Sequence, residues 1–258
     1  MAQVFRPQTD VSSGQIIHWS FVDGTGNDTA GASFLGIPTN GPTFVPGAAP
    51  GGGGLKFNGT SQYVIVSKGP INIPFCTISA WVKINGNPAS IGQVAAFDDG
   101  LGSGTTDKIL FVTISGTVSW EVFDGASKTV TSTRTVTDNN WHHILGGCDG
   151  TTSYLYIDGT LEGSLAAGAS YAAYTVPNFF VNGAGSSTTY LAGLISDVRV
   201  YNRALIAGEV NTLYKSAFLP WMENEFEAVL ATVGTAALAA RQIDNLTATS
   251  KPSGVVQL

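Results

Sequence analysis

Across residues 15–201 the chain alternates apolar and polar side chains with a period of two, in short runs broken by glycine-rich turns. A half-buried antiparallel strand requires that pattern, because successive side chains leave opposite faces of a sheet. In residues 78–84 the apolar face holds Ile78, Ala80, Val82 and Ile84; in residues 118–122 it holds Val118, Trp120 and Val122. Residues 109–114 and 118–123 flank Ser115, Gly116 and Thr117, a hairpin loop. Residues 154–157 run into Asp158 and Gly159, the dipeptide favoured where both turn residues need positive φ. Strands recurring with turns between them predict an all-β, two-sheet antiparallel sandwich or jelly roll.

Composition agrees. Of 258 residues 32 are glycine and 12% are charged, against roughly 7% and 25% in average soluble chains. The length permits one large β domain that needs no disulfide or metal. Cys76 and Cys148 read as small buried thiols, with a disulfide as the alternative that spacing leaves open. The net charge is −6 and no Lys/Arg cluster occurs, so nucleic acid is not an expected partner. Residues 1–7 carry no apolar stretch of a secretory signal, and the chain is expected to begin in a cytoplasm.

Residues 46–54 (PGAAPGGGG) read as a loop inside the domain rather than a tether, since strand-like text lies on both sides. After Tyr201 the period changes. Ala207, Val210, Leu213 and Tyr214 follow helical spacing and predict a short helix packed on the sandwich. A second helix is expected over residues 220–241, with Phe226, Val229, Leu230 and Val233 in an apolar stripe suited to attachment or oligomerisation. Its most apolar stretch, residues 228–240, is too short to span a bilayer. The expected organisation is an N-terminal arm (1–14), the β-sandwich (15–216), and a C-terminal helix with extended tail (217–258).

Six segments, in order, resemble the laminin-G-like, concanavalin-A-type jelly-roll family, related to the pentraxins. They are HWSFVDG (18–24), LKFNGTSQYV (55–64), TISAWVK (77–83), NWHHI (140–144), DGTTSYLYIDG (149–159) and GLISDVRVYNRAL (193–205). The resemblance implies two facing antiparallel sheets and a variable rim that binds glycans or proteins, sometimes through calcium. One departure stands out: Ile206 occupies the place where such sequences put a serine that caps the short helix, and Gly208 weakens that helix further.

Catalytic residues are not expected. Sandwich glycosidases space their carboxylates so that they share one strand face, whereas Glu121 and Asp124 are three apart and point to opposite faces. His142 and His143 are adjacent, and with His18 they read as packing residues rather than a metal or triad set. Asp98, Asp99 and Asp107 lie in glycine-rich text with oxygen ligands suited to calcium, and serve equally as turn formers. Tyr171, Tyr174 and Tyr190 are the candidates for stacking on sugars.

The function expected is therefore a non-catalytic binding protein with no required cofactor. Its expected setting is a bacteriophage virion, as a capsid-decoration or tail-associated oligomer. Its partners would be other virion proteins or its own copies, and cell-surface glycans. The alternatives are a bacterial carbohydrate-binding or adhesive protein at the cell surface and, less favoured, a glycoside hydrolase.

Overall fold

The computed structural model describes residues 11–21, 25–31, 34–49, 52–66, 71–72, 75–98, 108–123, 126–166, 175–176, 178–183 and 189–217. Among these residues the strands form a sheet of eight, a sheet of seven and a two-stranded ribbon, each strand pair antiparallel. The larger sheet runs Thr160–Ala166, Thr152–Ile157, Asp138–Cys148, Cys76–Asn85, Ala192–Tyr201, Gly52–Asn58, Thr43–Ala49. Gln15–Trp19 is its eighth strand and also pairs with Ala192–Tyr201. The seven-stranded sheet runs Ser127–Thr135, Thr117–Phe123, Lys108–Val112, Gly92–Asp98, Asn178–Val181, Tyr63–Val66, Ile37–Thr39.

The two sheets bury one continuous core. Ile78, Ala80, Val82 and Ile84 meet Val118, Trp120 and Val122 there, all at most 1% exposed. Both predicted hairpins form. Gly116 has φ +82° within the Thr113–Thr117 turn, and Asp158 and Gly159 have φ +52° and +75°. Cys76 and Cys148 are buried thiols.

Two features differ from the sequence reading. Residues 46–54 are not simply a loop: Thr43–Ala49 and Gly52–Asn58 pair as an edge hairpin, with Pro46 opposite Gly53. The glycines are there for closeness, since a Cβ on Gly53 would lie 2.6 Å from the Phe44 ring and 2.7 Å from the Phe21 carbonyl. Proline is tolerated because this strand is the sheet's edge. The second difference is that Cys76–Asn85 is buried on both faces. Trp81, on its outer face, is stacked on Tyr214 of the helix Ala207–Ser216, with ring centroids 5.7 Å apart.

That helix lies on the outer face of the eight-stranded sheet. Val210 and Leu213 join Val11, Leu145, Tyr201 and Leu205 in a second apolar cluster. Ile206 offers no side-chain cap, but Glu209 compensates: its Oε2 accepts the Ile206 N–H at 3.0 Å and is held by Arg203 Nη1 at 2.8 Å. This is half of a capping box, supplied from inside the first turn.

Gly146 sits directly beneath Trp120, whose ring atoms would lie 2.4 Å from an added Cβ. Gly146→Ala is expected to destabilise the fold by about 2–3 kcal/mol in urea denaturation, because a buried indole cannot move aside. Gly208→Ala, where nothing lies within 4 Å, should instead stabilise by up to about 1 kcal/mol.

Candidate functional site

At one end of the seven-stranded sheet the chain leaves Asn178–Val181 through two left-handed residues, Asn182 (φ +60°) and Gly183 (φ +142°). Asn182 is fully buried and ties three segments together. Its Nδ2 donates to the Gln62 carbonyl at 2.9 Å, its Oδ1 accepts from Leu191 N at 2.8 Å, and its own N–H donates to the Val94 carbonyl at 3.0 Å. An asparagine suits this place because it tolerates the left-handed region and carries both a donor and an acceptor.

The result is two tyrosines beside Gly183. A Cβ there would lie 2.8 Å from Tyr190 Cε1 and 3.6 Å from Tyr63 Cβ, so the two tyrosines flank it closely. Tyr63 also leans on Phe180, with ring centroids 6.0 Å apart. Both tyrosines are half-buried, which leaves part of each available while packing restricts its motion. Beside them Gln62 is fixed by three bonds: its Oε1 accepts Asn58 N at 2.8 Å, and its Nε2 donates to the carbonyls of Gly41 at 2.7 Å and Asn40 at 3.3 Å. Asn40 Nδ2 in turn donates to the Ser61 carbonyl at 2.7 Å. With both hydrogens of Gln62 Nε2 donated internally, what this arrangement can offer a neutral, hydroxyl-rich ligand is chiefly the exposed part of the tyrosine rings.

Tyr190 is thus the one candidate tyrosine among the described residues, and Tyr63 is a partner that the sequence reading missed. Nothing local pairs them; only the register of distant strands does. Tyr171, Tyr174, Asp99, Asp107, Phe226, Val229, Leu230 and Val233 lie outside the described residues, as does the Asp98 side chain, although its backbone pairs with Asn178.

Glu121 is on the outer face of the same sheet and accepts a hydrogen bond from Thr129 Oγ1 at 3.0 Å. Its cross-strand neighbours are Ile109 and Thr129. Neither is a carboxylate, and Asp124 lies outside the described residues. A glycosidic bond needs two carboxyl groups flanking it, and the described neighbours of Glu121 do not provide the second.

The three histidines occupy three separate environments. His143 is buried against Trp81, ring centroids 5.3 Å apart, and burial pushes its pKa down to about 4, so it is neutral. His142 stands between two carboxylates, with Nδ1 2.9 Å from Asp158 Oδ2 and Nε2 3.0 Å from Asp138 Oδ1. His18 bridges Thr29 Oγ1 at 2.7 Å and Asp197 Oδ1 at 2.7 Å. Asp197 also receives Arg199 Nε and Nη2, each at 3.0 Å. Although burial opposes it, the Arg199 charge and the His18 hydrogen bond hold Asp197 well below the usual carboxylate range. These groups line a shallow recess of about 130 Å³ with Ser20, Ser196 and Ser216. Among the described residues no group of three His, Cys, Asp or Glu side chains could hold a metal ion. No described helix is long and apolar enough to cross a membrane.

Two facing antiparallel sheets define a concanavalin A-type jelly roll. Residues 58–211, more than half of the chain, match the laminin G family described as the concanavalin A-like lectin/glucanases superfamily, and the chain belongs to that family. No curated protein sequence matches it. The binding domain of Paraclostridial Mosquitocidal Protein 1 is similar, with TM-score 0.64 and 16% identity over 81% of this chain and 53% of that one. So is domain 4 of AbnA, an extracellular arabinanase from Geobacillus stearothermophilus, solved with arabinotriose: TM-score 0.63, 16% identity, 78% and 98% covered. The binding domain of botulinum neurotoxin DC, solved with rat synaptotagmin II, follows at TM-score 0.61 and 13% identity, 80% and 52% covered. This chain spans about half the length of those toxin domains. At such identities the likeness is one of fold.

The His142 cluster makes stability depend on pH. The Asp158 hydrogen bond, against burial and with help from Asp138, raises the His142 pKa above its ordinary 6.5. The stabilisation is therefore complete below about pH 6.5 and is lost as pH rises through the elevated folded value. Melting temperature should fall across that window, and His142→Gln should remove the slope.

Proposed function

We propose that this chain is a non-catalytic binding module that holds a neutral oligosaccharide against Tyr63 and Tyr190. The observation that carries the reading is the placement of the Tyr190 ring and the Tyr63 Cβ against Gly183, beside the fixed amide of Gln62. The arabinotriose bound to the arabinanase domain of the same fold supports a short glycan as ligand. The synaptotagmin partner of the neurotoxin domain is the reason to test a protein ligand as well.

Titration calorimetry with arabino-oligosaccharides, preceded by a glycan array, tests this. Tyr63→Ala and Tyr190→Ala should each weaken binding about five- to tenfold, the worth of one aromatic contact. Removing calcium with a chelator should leave affinity unchanged; loss of binding would instead assign Asp98, Asp99 and Asp107 as ligands. Hydrolysis of the bound glycan that disappears in Glu121→Gln would overturn the non-catalytic reading.

The setting we propose is a virion surface, with the stripe of Phe226, Val229, Leu230 and Val233 as the attachment to other virion proteins or to further copies of the chain. The neighbours named above are toxins and an extracellular enzyme, so the support for this setting is the sequence pattern alone. Deleting residues 220–258 should leave a folded sandwich that binds glycan but no longer associates. An unfolded product, or one that still associates, would refute the assignment.

A further inference from the structure

Cys76 opens the central strand of the eight-stranded sheet and Cys148 closes its neighbour. They are partners in register, Cys148 directly opposite Cys76. Opposed residues on antiparallel strands have Cα atoms about 4.5–5.5 Å apart, inside the span of about 4.4–6.8 Å that a disulfide accepts. Both side chains face the core and are 0% exposed, and the two sulfurs share a hydrogen bond.

A cation faces them from the other sheet. Lys108 is 0% exposed and pairs in register with Phe97 and Val122, both core residues, so its side chain enters the space between the sheets. Its charge is felt by both thiols. The pair lies at the rim of the core, one residue from the exposed Phe75 and Asp149, so that local opening of this rim is the route by which a small disulfide reaches the buried sulfurs.

We propose that Cys76 and Cys148 are a disulfide-forming pair that closes on exposure to a small-molecule disulfide, with Cys148 as the attacking sulfur. Cys148 thiolate attacks one sulfur of the small disulfide, joins it as a mixed disulfide and releases the other half as a thiolate, which takes up a proton. Cys76 then loses its proton to solvent and attacks the Cys148 sulfur, expelling the second thiolate. The protein pair is oxidised by two electrons and the small disulfide is reduced to two thiols.

The order follows from the surroundings. The hydrogen bond from Cys76, with Lys108 behind it, holds Cys148 below its ordinary value despite burial. Burial, and then that same hydrogen bond, pushes Cys76 well above its ordinary value. The more readily ionised of the two thiols supplies the attacking thiolate.

The test is to refold the full chain from urea in oxidised and reduced glutathione, then measure intact mass and titratable thiols. The expected product is a monomer lighter by two hydrogens with no free thiol, melting about 5–10 °C above the reduced chain. Native Cys76→Ser treated with oxidised glutathione should hold one glutathione on Cys148, while native Cys148→Ser should remain unmodified. Two titratable thiols after oxidative refolding, a bridge only between chains, or a bridged monomer that melts no higher would overturn the pair. Glutathione on Cys76 instead of Cys148 would overturn the order. The refolded native sequence reads out pairing even where a serine variant fails to fold.

Discussion

A left-handed aspartate in the middle of a ten-residue strand is an unfavourable conformation, costing on the order of 1–3 kcal/mol, and the larger sheet is organised around one. Asp197 has φ +47° at a bulge in Ala192–Tyr201. Before the bulge that strand pairs with Gly52–Asn58, after it with Gln15–Trp19, and on its other edge with Cys76–Asn85 both before and after the bulge. One strand can serve three neighbours because its direction changes at Asp197. The bidentate Arg199 and the His18 bond offset the strain, and His18 belongs to the strand that the bulge admits. The charge cluster is thus a device of topology, joining the beginning of the domain to its end.

Turns and close packing in both sheets explain several of the glycines. Turns account for Gly116, Gly159 and Gly183, where φ is positive. Gly146 and Gly147 are different: they lie inside Asp138–Cys148, and a Cβ on each would meet the Trp120 ring at 2.4 Å and the Tyr154 ring at 2.5 Å. Here absence of a side chain makes room for an aromatic residue of another strand. Large rings and bare backbone are complementary parts of one packing solution.

Much of this was legible in the sequence because it is local. Alternation identifies which residues share a face, so Ile78 to Ile84 and Val118 to Val122 could be placed in the core, and Asp158-Gly159 could be given its turn. Helical spacing found Val210 and Leu213. Alternation does not say which strands are neighbours or whether the other face is covered. For that reason alternation does not place Trp81 under Tyr214, does not distinguish the edge hairpin of residues 46–54 from a loop, and does not bring Tyr63 beside Tyr190. Each of these depends on a contact between segments far apart in the chain, and the resemblance to a family carries the fold without carrying the rim.

The electrostatics bear on what that rim can do. A glycosidase needs one carboxyl group held protonated near neutral pH, its pKa raised by burial or by a second carboxylate. Asp138, Asp149, Asp158, Asp197 and Glu209 all move the other way, each held below its ordinary value by hydrogen bonds or by a paired cation. Such carboxylates are fixed acceptors that position backbone and side chains, and none of the five is a proton donor at neutral pH. In the proposed site the half-buried rings of Tyr63 and Tyr190 would lose little freedom on binding, which favours affinity without any demand for proton transfer. Carboxylates committed to turns and bulges are unavailable for that chemistry, and the recognition proposed for this chain falls instead to Tyr63 and Tyr190.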